Sequence, residues 1–147
     1  MPHDPSSHDT ERDDPRSDAR ERALALLYEA ESKESSPREV LAALPVTPSP
    51  LVVELVVGVE DHQAELDALI VDHARNWSLE RMPAIDRNLL RLALYELMER
   101  PEVPVAVVID EAVELAKRFS TDDSGRFVNG MLSAIAPKVR PEVGERG

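Results

Sequence analysis

The sequence has no cysteine, which excludes a disulfide framework, a thiolate metal site and a thiol nucleophile. Aromatic rings are scarce, with two Phe, two Tyr and one Trp, so a core must be built from Leu, Val, Ile and Ala. No apolar run approaches the roughly 18 residues needed to cross a bilayer. The N-terminus is polar and acidic and lacks the apolar segment of a signal peptide. A cytoplasmic protein without membrane contact is expected. Basic excess is missing too: the formal charge is −12, whereas nucleic-acid binders usually carry a basic patch that displaces counterions from phosphates. RNA contact would therefore need a local patch, helix N-termini or a basic partner. Finally, there is no HExxH, P-loop, GxSxG or GxGxxG, so the common zinc, nucleotide and serine-hydrolase signatures are lacking. No enzyme activity, cofactor or metal is expected.

What is present suits one helical domain. A chain of 147 residues with 42% hydrophobic content can enclose a core. Residues 1–16 hold few apolar side chains and are expected to form a disordered acidic tail. His3 and His8 in that tail read as solvent-exposed rather than as a metal site. Ser17 has the character of an N-cap with Asp18 and Glu21 in the favourable first turn. Ala23, Leu24, Leu27 and Tyr28 then follow amphipathic helical spacing. Ser36-Pro37-Arg38-Glu39 has the form of a capping box with Pro at the first helical position. Ser49-Pro50 opens a third helix with Leu51, Val52, Leu55, Val56 and Val59 on its face, and the pattern shifts near Glu60 to His62. Leu66, Leu69, Ile70 and His73 mark the next face. His62 and His73, eleven apart, would lie about 16 Å apart on a continuous helix, too far for one metal.

Trp77 to Pro83 reads as a connector with a short turn capped by Ser78. Ile85 to Arg100 is apolar nearly all round and belongs at the centre of a bundle, with Arg87, Arg91 and Tyr95 as its polar stripe. A sixth helix, about 104–119, turns Val105, Val108, Ile109, Ala112, Val113 and Ala116 inward, with Glu114 and Arg118 at pairing distance outside. A last helix runs from about Asp123 to Ala136 and ends before Pro137. Asp123 and Ser124 would cap its free N–H groups, and Gly130 inside it implies close helix packing. The acidic pairs Asp110-Glu111 and Asp122-Asp123 diverge on a helix and read as solvated faces. About seven helices and no strand make the fold all-α, with the helical domain at 17–137 and a flexible C-terminal tail at 138–147.

The run Val103-Pro104-Val105-Ala106-Val107-Val108-Ile109-Asp110-Glu111-Ala112-Val113-Glu114-Leu115-Ala116-Lys117-Arg118-Phe119 continues through Thr121-Asp122-Asp123-Ser124-Gly125-Arg126-Phe127-Val128-Asn129-Gly130-Met131-Leu132. It resembles the C-terminal signature of the NusB family of bacterial transcription antitermination factors. The resemblance covers about residues 19–140 and is densest from Ile85 to Ile135. It implies two packed three-helix bundles with an additional helix in one globular unit. It further implies a non-catalytic adaptor that binds boxA-type RNA with the NusE ribosomal protein and joins the antitermination complex on RNA polymerase, chiefly for ribosomal RNA.

The resemblance also assigns residues. An arginine-rich segment at the start of helix one would bind RNA, represented here by Arg16, Arg20 and Arg22 and diluted by Ser17 and Asp18. Tyr28, Arg91 and Phe127 would add stacking or phosphate contacts, and Asp123 would lie close to the RNA. Each has a plainer reading: Tyr28 at a bundle edge, Arg91 on a solvated stripe, Phe127 in the core and Asp123 as a cap. Asp86, Asp110, Glu111 and Glu114 would offer an acidic face to a basic partner. The alternative is a NusB-like protein-binding scaffold with little direct RNA affinity. The same helical domain also begins ribosomal-RNA cytosine methyltransferases, but this sequence reaches Gly147 with no catalytic domain and no cysteine. A homodimer and a monomer are both compatible with the resemblance.

Overall fold

The computed structural model describes residues 15–75 and 77–140. These form seven α-helices and no strand: α1 Pro15–Lys33, α2 Pro37–Ala42, α3 Pro50–Asp61, α4 Gln63–His73, α5 Ala84–Glu99, α6 Val105–Phe119 and α7 Asp122–Val139. A short 3-10 turn, Leu79–Arg81, lies between α4 and α5. The all-α expectation holds, and α1 to α3 pack as one group while α5 to α7 pack as another. Helix α5 joins the two groups, touching α1, α3, α4, α6 and α7. Twelve consecutive residues, Asp86 to Leu97, are buried on it, so it is the axis of the fold.

Local chemistry explains most boundaries. The Ser36 side chain accepts from the Glu39 N–H, and the Glu39 carboxylate accepts from the Ser36 N–H, a complete capping box. Ser49 caps α3 by accepting from the Val52 N–H, with Pro50 at the first helical position. The break between α3 and α4 falls at His62, whose φ of −107° and ψ of 11° interrupt the helix. His62 and His73 each place Nδ1 against a carbonyl four residues back, Gly58 at 2.8 Å and Leu69 at 2.9 Å. Ser78 precedes the 3-10 turn but makes no side-chain cap bond.

Several expectations need correction. Helix α1 begins at Pro15, so Pro15 and Arg16 belong to the folded domain; the rest of the expected tail, 1–14, lies outside the described residues. Ser17 does not cap α1: its hydroxyl donates to Glu111 at 2.7 Å. Helix α7 is capped by Thr121, which accepts from the Ser124 N–H at 2.9 Å, so Asp123 and Ser124 sit inside its first turn. Pro137 lies within α7 rather than ending it; it forgoes one N–H bond and its fixed φ is compatible with the helix. Residues 138–140 are therefore part of the fold, and 141–147 lie outside the described residues.

Arg140 shows what holds that end. Its guanidinium donates to the carbonyls of Leu97 (2.9 Å), Val103 (2.6 Å), Glu96 (3.3 Å) and Arg100 (2.7 Å). The last carbonyls of a helix have no partner within it, and here a cation from α7 meets those of α5. The charge also suits the negative helix end.

The core is aliphatic, as the composition requires, with Tyr95 the buried ring among the described residues. The tight approach lies at Gly58, not Gly130. A Cβ on Gly58 would sit 2.3 Å from the Tyr95 ring, whereas one on Gly130 would meet no atom within 4 Å. Gly58→Ala is expected to destabilise the fold by about 1–3 kcal/mol through overpacking. Gly130→Ala should be neutral or stabilising by up to about 1 kcal/mol through helix propensity. Parallel denaturant melts measure both, and equal effects would contradict this contrast.

Candidate nucleic-acid interface

An isolated buried ion is expensive, and three of the four buried charged residues of α5, Arg87, Arg91 and Glu96, find partners from other helices. Asp86, the fourth, keeps its Oδ1 buried without a hydrogen-bond partner. Arg20 of α1 donates through Nε and Nη2 to the two carboxylate oxygens of Glu96 at 2.6 and 3.0 Å. Arg20 also lies 3.6 Å from Glu111, linking α1, α5 and α6. Arg91 donates to both oxygens of Asp67 on α4 at 2.7 and 3.1 Å, with Glu31 3.7 Å away.

Glu31 collects the other side of this cluster. It receives Arg87 through a short ion pair and the Asn88 amide at 3.0 Å. Arg87 also donates to the Leu79 and Met82 carbonyls at 2.9 and 2.8 Å, tying the connector to α5. Burial, followed by the neighbouring Arg91 charge, lowers the Arg87 pKa from its ordinary value. The cluster lines an open cleft of about 560 Å³ with Leu27, Ser35 and Glu80 among its walls. The two guanidiniums are paired with Glu31 and, behind the cleft, with Asp67, while Glu80 adds a further carboxylate to the wall.

The residues expected to bind RNA are thus divided. Arg16, Arg22 and Tyr28 are exposed along α1, Tyr28 to 43%. Arg20 and Arg91 are not surface cations: both are buried and held by carboxylates. Arg91 does not lie on a solvated stripe, because α4 covers that side of α5. Asp123 is exposed and ion-paired with Arg126. One turn on, Phe127 is half-buried against the core. The expected acidic face divides similarly. Asp110 is exposed, and Glu111 and Glu114 are half-buried, with Glu111 engaged by Ser17 and Arg20. Asp86 is buried, 3% exposed, because the first turn of α5 is already enclosed by its neighbours. It cannot meet a partner in this arrangement.

A second cavity, about 460 Å³, was not foreseen. His73, Ala74, Arg75 and Trp77 form one wall, and Arg126, Phe127, Gly130, Met131 and Ala134 of α7 form the other. Trp77 is 48% exposed and its ring stacks on Phe127, with centroids 5.9 Å apart and planes at 29°. The sequence signal was available, as the chain's single Trp in a polar connector, but no periodicity marks a connector residue as exposed. Elsewhere Arg118 lies 4.9 Å from the centroid of the exposed Phe119 ring and pairs with Glu21 at 3.2 Å. No group of His, Asp and Glu able to hold a metal occurs among the described residues. No helix of the described residues is long and apolar enough to cross a membrane.

Comparison with known proteins places these features. The NusB family profile matches residues 17–137. The transcription antitermination protein NusB of Acidothermus cellulolyticus is 51% identical over 124 residues, covering 82% of this chain and 86% of that protein. The protein of the same name from Beutenbergia cavernae is 47% identical over 146 residues, covering 88% and 95%. Among solved structures, NusB of T. maritima superposes with a TM-score of 0.80 at 34% identity over 91% of this chain and 99% of that one. A structure of antitermination factors NusB and NusE in complex with double-stranded RNA aligns with a TM-score of 0.71 at 29% identity, covering 84% and 96%.

The geometry separates structural arginines from surface ones. Arg20→Ala, which leaves Glu96 buried without its bidentate partner, should cost about 3–5 kcal/mol. Arg22→Ala should change stability by less than about 0.5 kcal/mol. Chemical denaturation of both variants measures the difference, and a mild Arg20→Ala would mean that water reaches Glu96.

Proposed function

The chain belongs to the NusB family, and from that premise we propose that it is an antitermination factor acting by assembly rather than catalysis. It binds boxA-type RNA in nascent transcripts together with the NusE ribosomal protein. The complex then joins RNA polymerase in the cytoplasm and sustains transcription of ribosomal RNA operons. The observation that carries this reading is the shared fold with a NusB solved together with NusE and RNA, over most of both chains.

Which of these side chains are exposed supports a specific division of labour. Arg16, Arg22 and Tyr28 on α1, with Asp123 and Phe127 at the start of α7, remain the RNA-facing candidates. Arg20 and Arg91 act by holding α1 and α4 on α5 and thereby shape the surface without supplying its charge. Asp110, with the outer edge of Glu114, is the acidic contribution of α6 to a basic partner. With −12 overall, the protein gains from a cationic partner that offsets its repulsion of RNA.

The scaffold reading without RNA affinity is favoured by one observation. The two arginines best placed by sequence, Arg20 and Arg91, are committed to carboxylates. Fluorescence anisotropy of labelled boxA-type RNA separates the two readings, titrated with the protein alone and with NusE at two salt concentrations. The expected result is salt-sensitive binding that tightens with NusE. Replacing Arg16 or Arg22 by Ala should each lower the salt slope by about 0.7–0.9. NusE binding with no RNA affinity in either titration would leave the scaffold.

A further inference from the structure

We infer that the groove beside Trp77 seats one unpaired base of single-stranded RNA, with the indole of Trp77 as the contact face and Phe127 as its support. The inference rests on the RNA-binding reading above and assigns it a base-binding residue. Trp77 is an aromatic side chain that folding leaves half in water. Its plane is fixed from behind, because Phe127 is packed against the core and stacks under it. The expected order of contact is thereby reversed: the tryptophan over Phe127, not Phe127 itself, presents the open ring.

The rest of the groove suits a nucleotide. Arg75 takes no ion pair among the described residues, and Arg126 is held by Asp123 in a pair that is exposed on both sides. Exposed pairs are weak and exchange readily with other anions, so two guanidiniums flank the ring where phosphates adjoining a stacked base would lie. A stacking ring combined with cations that track the backbone is the usual arrangement for single-stranded nucleic acid. The wall also retains an open polar valence, since the Trp77 indole N–H makes no hydrogen bond among the described residues. His73 Nε2 also lacks a partner but is shut off from solvent, its Nδ1 being directed to the Leu69 carbonyl.

Gly130 supplies the space. It lines the groove, is exposed in the middle of α7 and contacts nothing that would exclude a side chain. Glycine there weakens the helix relative to alanine with no return in packing. Keeping the groove open to a ligand accounts for it. A duplex interior would not fit this use, because each base there is already stacked on both faces by its neighbours.

Trp77 is the chain's single tryptophan, so the site carries its own reporter. The full chain is titrated with short single-stranded RNA of boxA-type sequence, reading RNA anisotropy and Trp77 emission together. The emission change should saturate with the anisotropy, and Trp77→Ala should weaken binding about five- to a hundredfold. Trp77→Phe should restore most of the affinity. Gly130→Leu, which fills the groove without disturbing the core, should weaken binding while the melting temperature holds. Anisotropy binding with silent Trp77 emission and an unimpaired Gly130→Leu variant overturns the seat and leaves the RNA reading intact. An equal Trp77 response to the same RNA annealed to its complement overturns it as well. An emission change produced by NusE without RNA would assign the groove to protein and overturn the seat. No anisotropy change for the unmodified protein, with or without NusE, overturns both the seat and the reading beneath it.

Discussion

Everything in this molecule depends on one helix being enclosed on all sides. Helix α5 carries buried residues at every position from Asp86 to Leu97, four of them charged, and five other helices pack around it. Aliphatic burial supplies the gross driving force, but it does not choose which helix lies against which side. The charged positions narrow that choice. Glu96 requires Arg20 of α1, Arg91 requires Asp67 of α4, and Arg87 requires Glu31 of α1. A rotated α5 would strand these ions, and a buried ion without a partner costs several kcal/mol. Arg140 adds the closing restraint by tying the end of α7 to the Leu97 carbonyl of α5 and the Val103 carbonyl of the segment that follows it.

This constraint also governs the surface charge. Arginines held inside the fold cannot meet phosphates, so a count of arginines near the proposed RNA-binding positions overstates the cationic surface. The first helix illustrates the point within one turn and a half. Arg16 and Arg22 face outward, while Arg20 between them points at Glu96. A protein with a net charge of −12 is poorly equipped to bind RNA by charge alone. Stacking, which does not depend on net charge, and a basic partner are the two physical ways around that deficit. The open Trp77 ring and the acidic edge of α6 correspond to them.

Much of the fold was legible because its signals are local. Ser36 with Glu39, and Ser49 with Pro50, are short-range devices whose geometry follows from a few consecutive residues, and the structure reproduces them. The all-round apolar character of α5 likewise announced a central helix. The partners of its charges were not legible. Arg20 and Glu96 are 76 residues apart and Arg91 and Asp67 are 24 apart, and no periodicity connects them. Reading Arg87, Arg91 and Tyr95 as a solvated stripe followed from polarity alone. The stripe is buried because other helices bring carboxylates to it. Glycine was misplaced for a similar reason. Gly58 and Gly130 are equivalent as letters within helical runs, and only the position of Tyr95 distinguishes a required glycine from an open one.

A signature dense in α5, α6 and α7 is first a record of how a fully buried helix is covered, since Leu89 to Leu97, Val108, Ala112, Ala116, Val128 and Leu132 all face that task. Other residues in the signature are exposed, among them Asp110, Asp123, Arg126 and Gly130. Three of these four fall within eight positions at the start of α7, and two of them line the groove beside Trp77. Trp77 reaches the same groove from a connector whose position is set by Arg87 through the Leu79 and Met82 carbonyls. The ion-pair cluster on α5 therefore does more than stabilise. By holding the connector it fixes where the exposed indole stands, so the buried charges act on the proposed binding surface through the backbone they anchor.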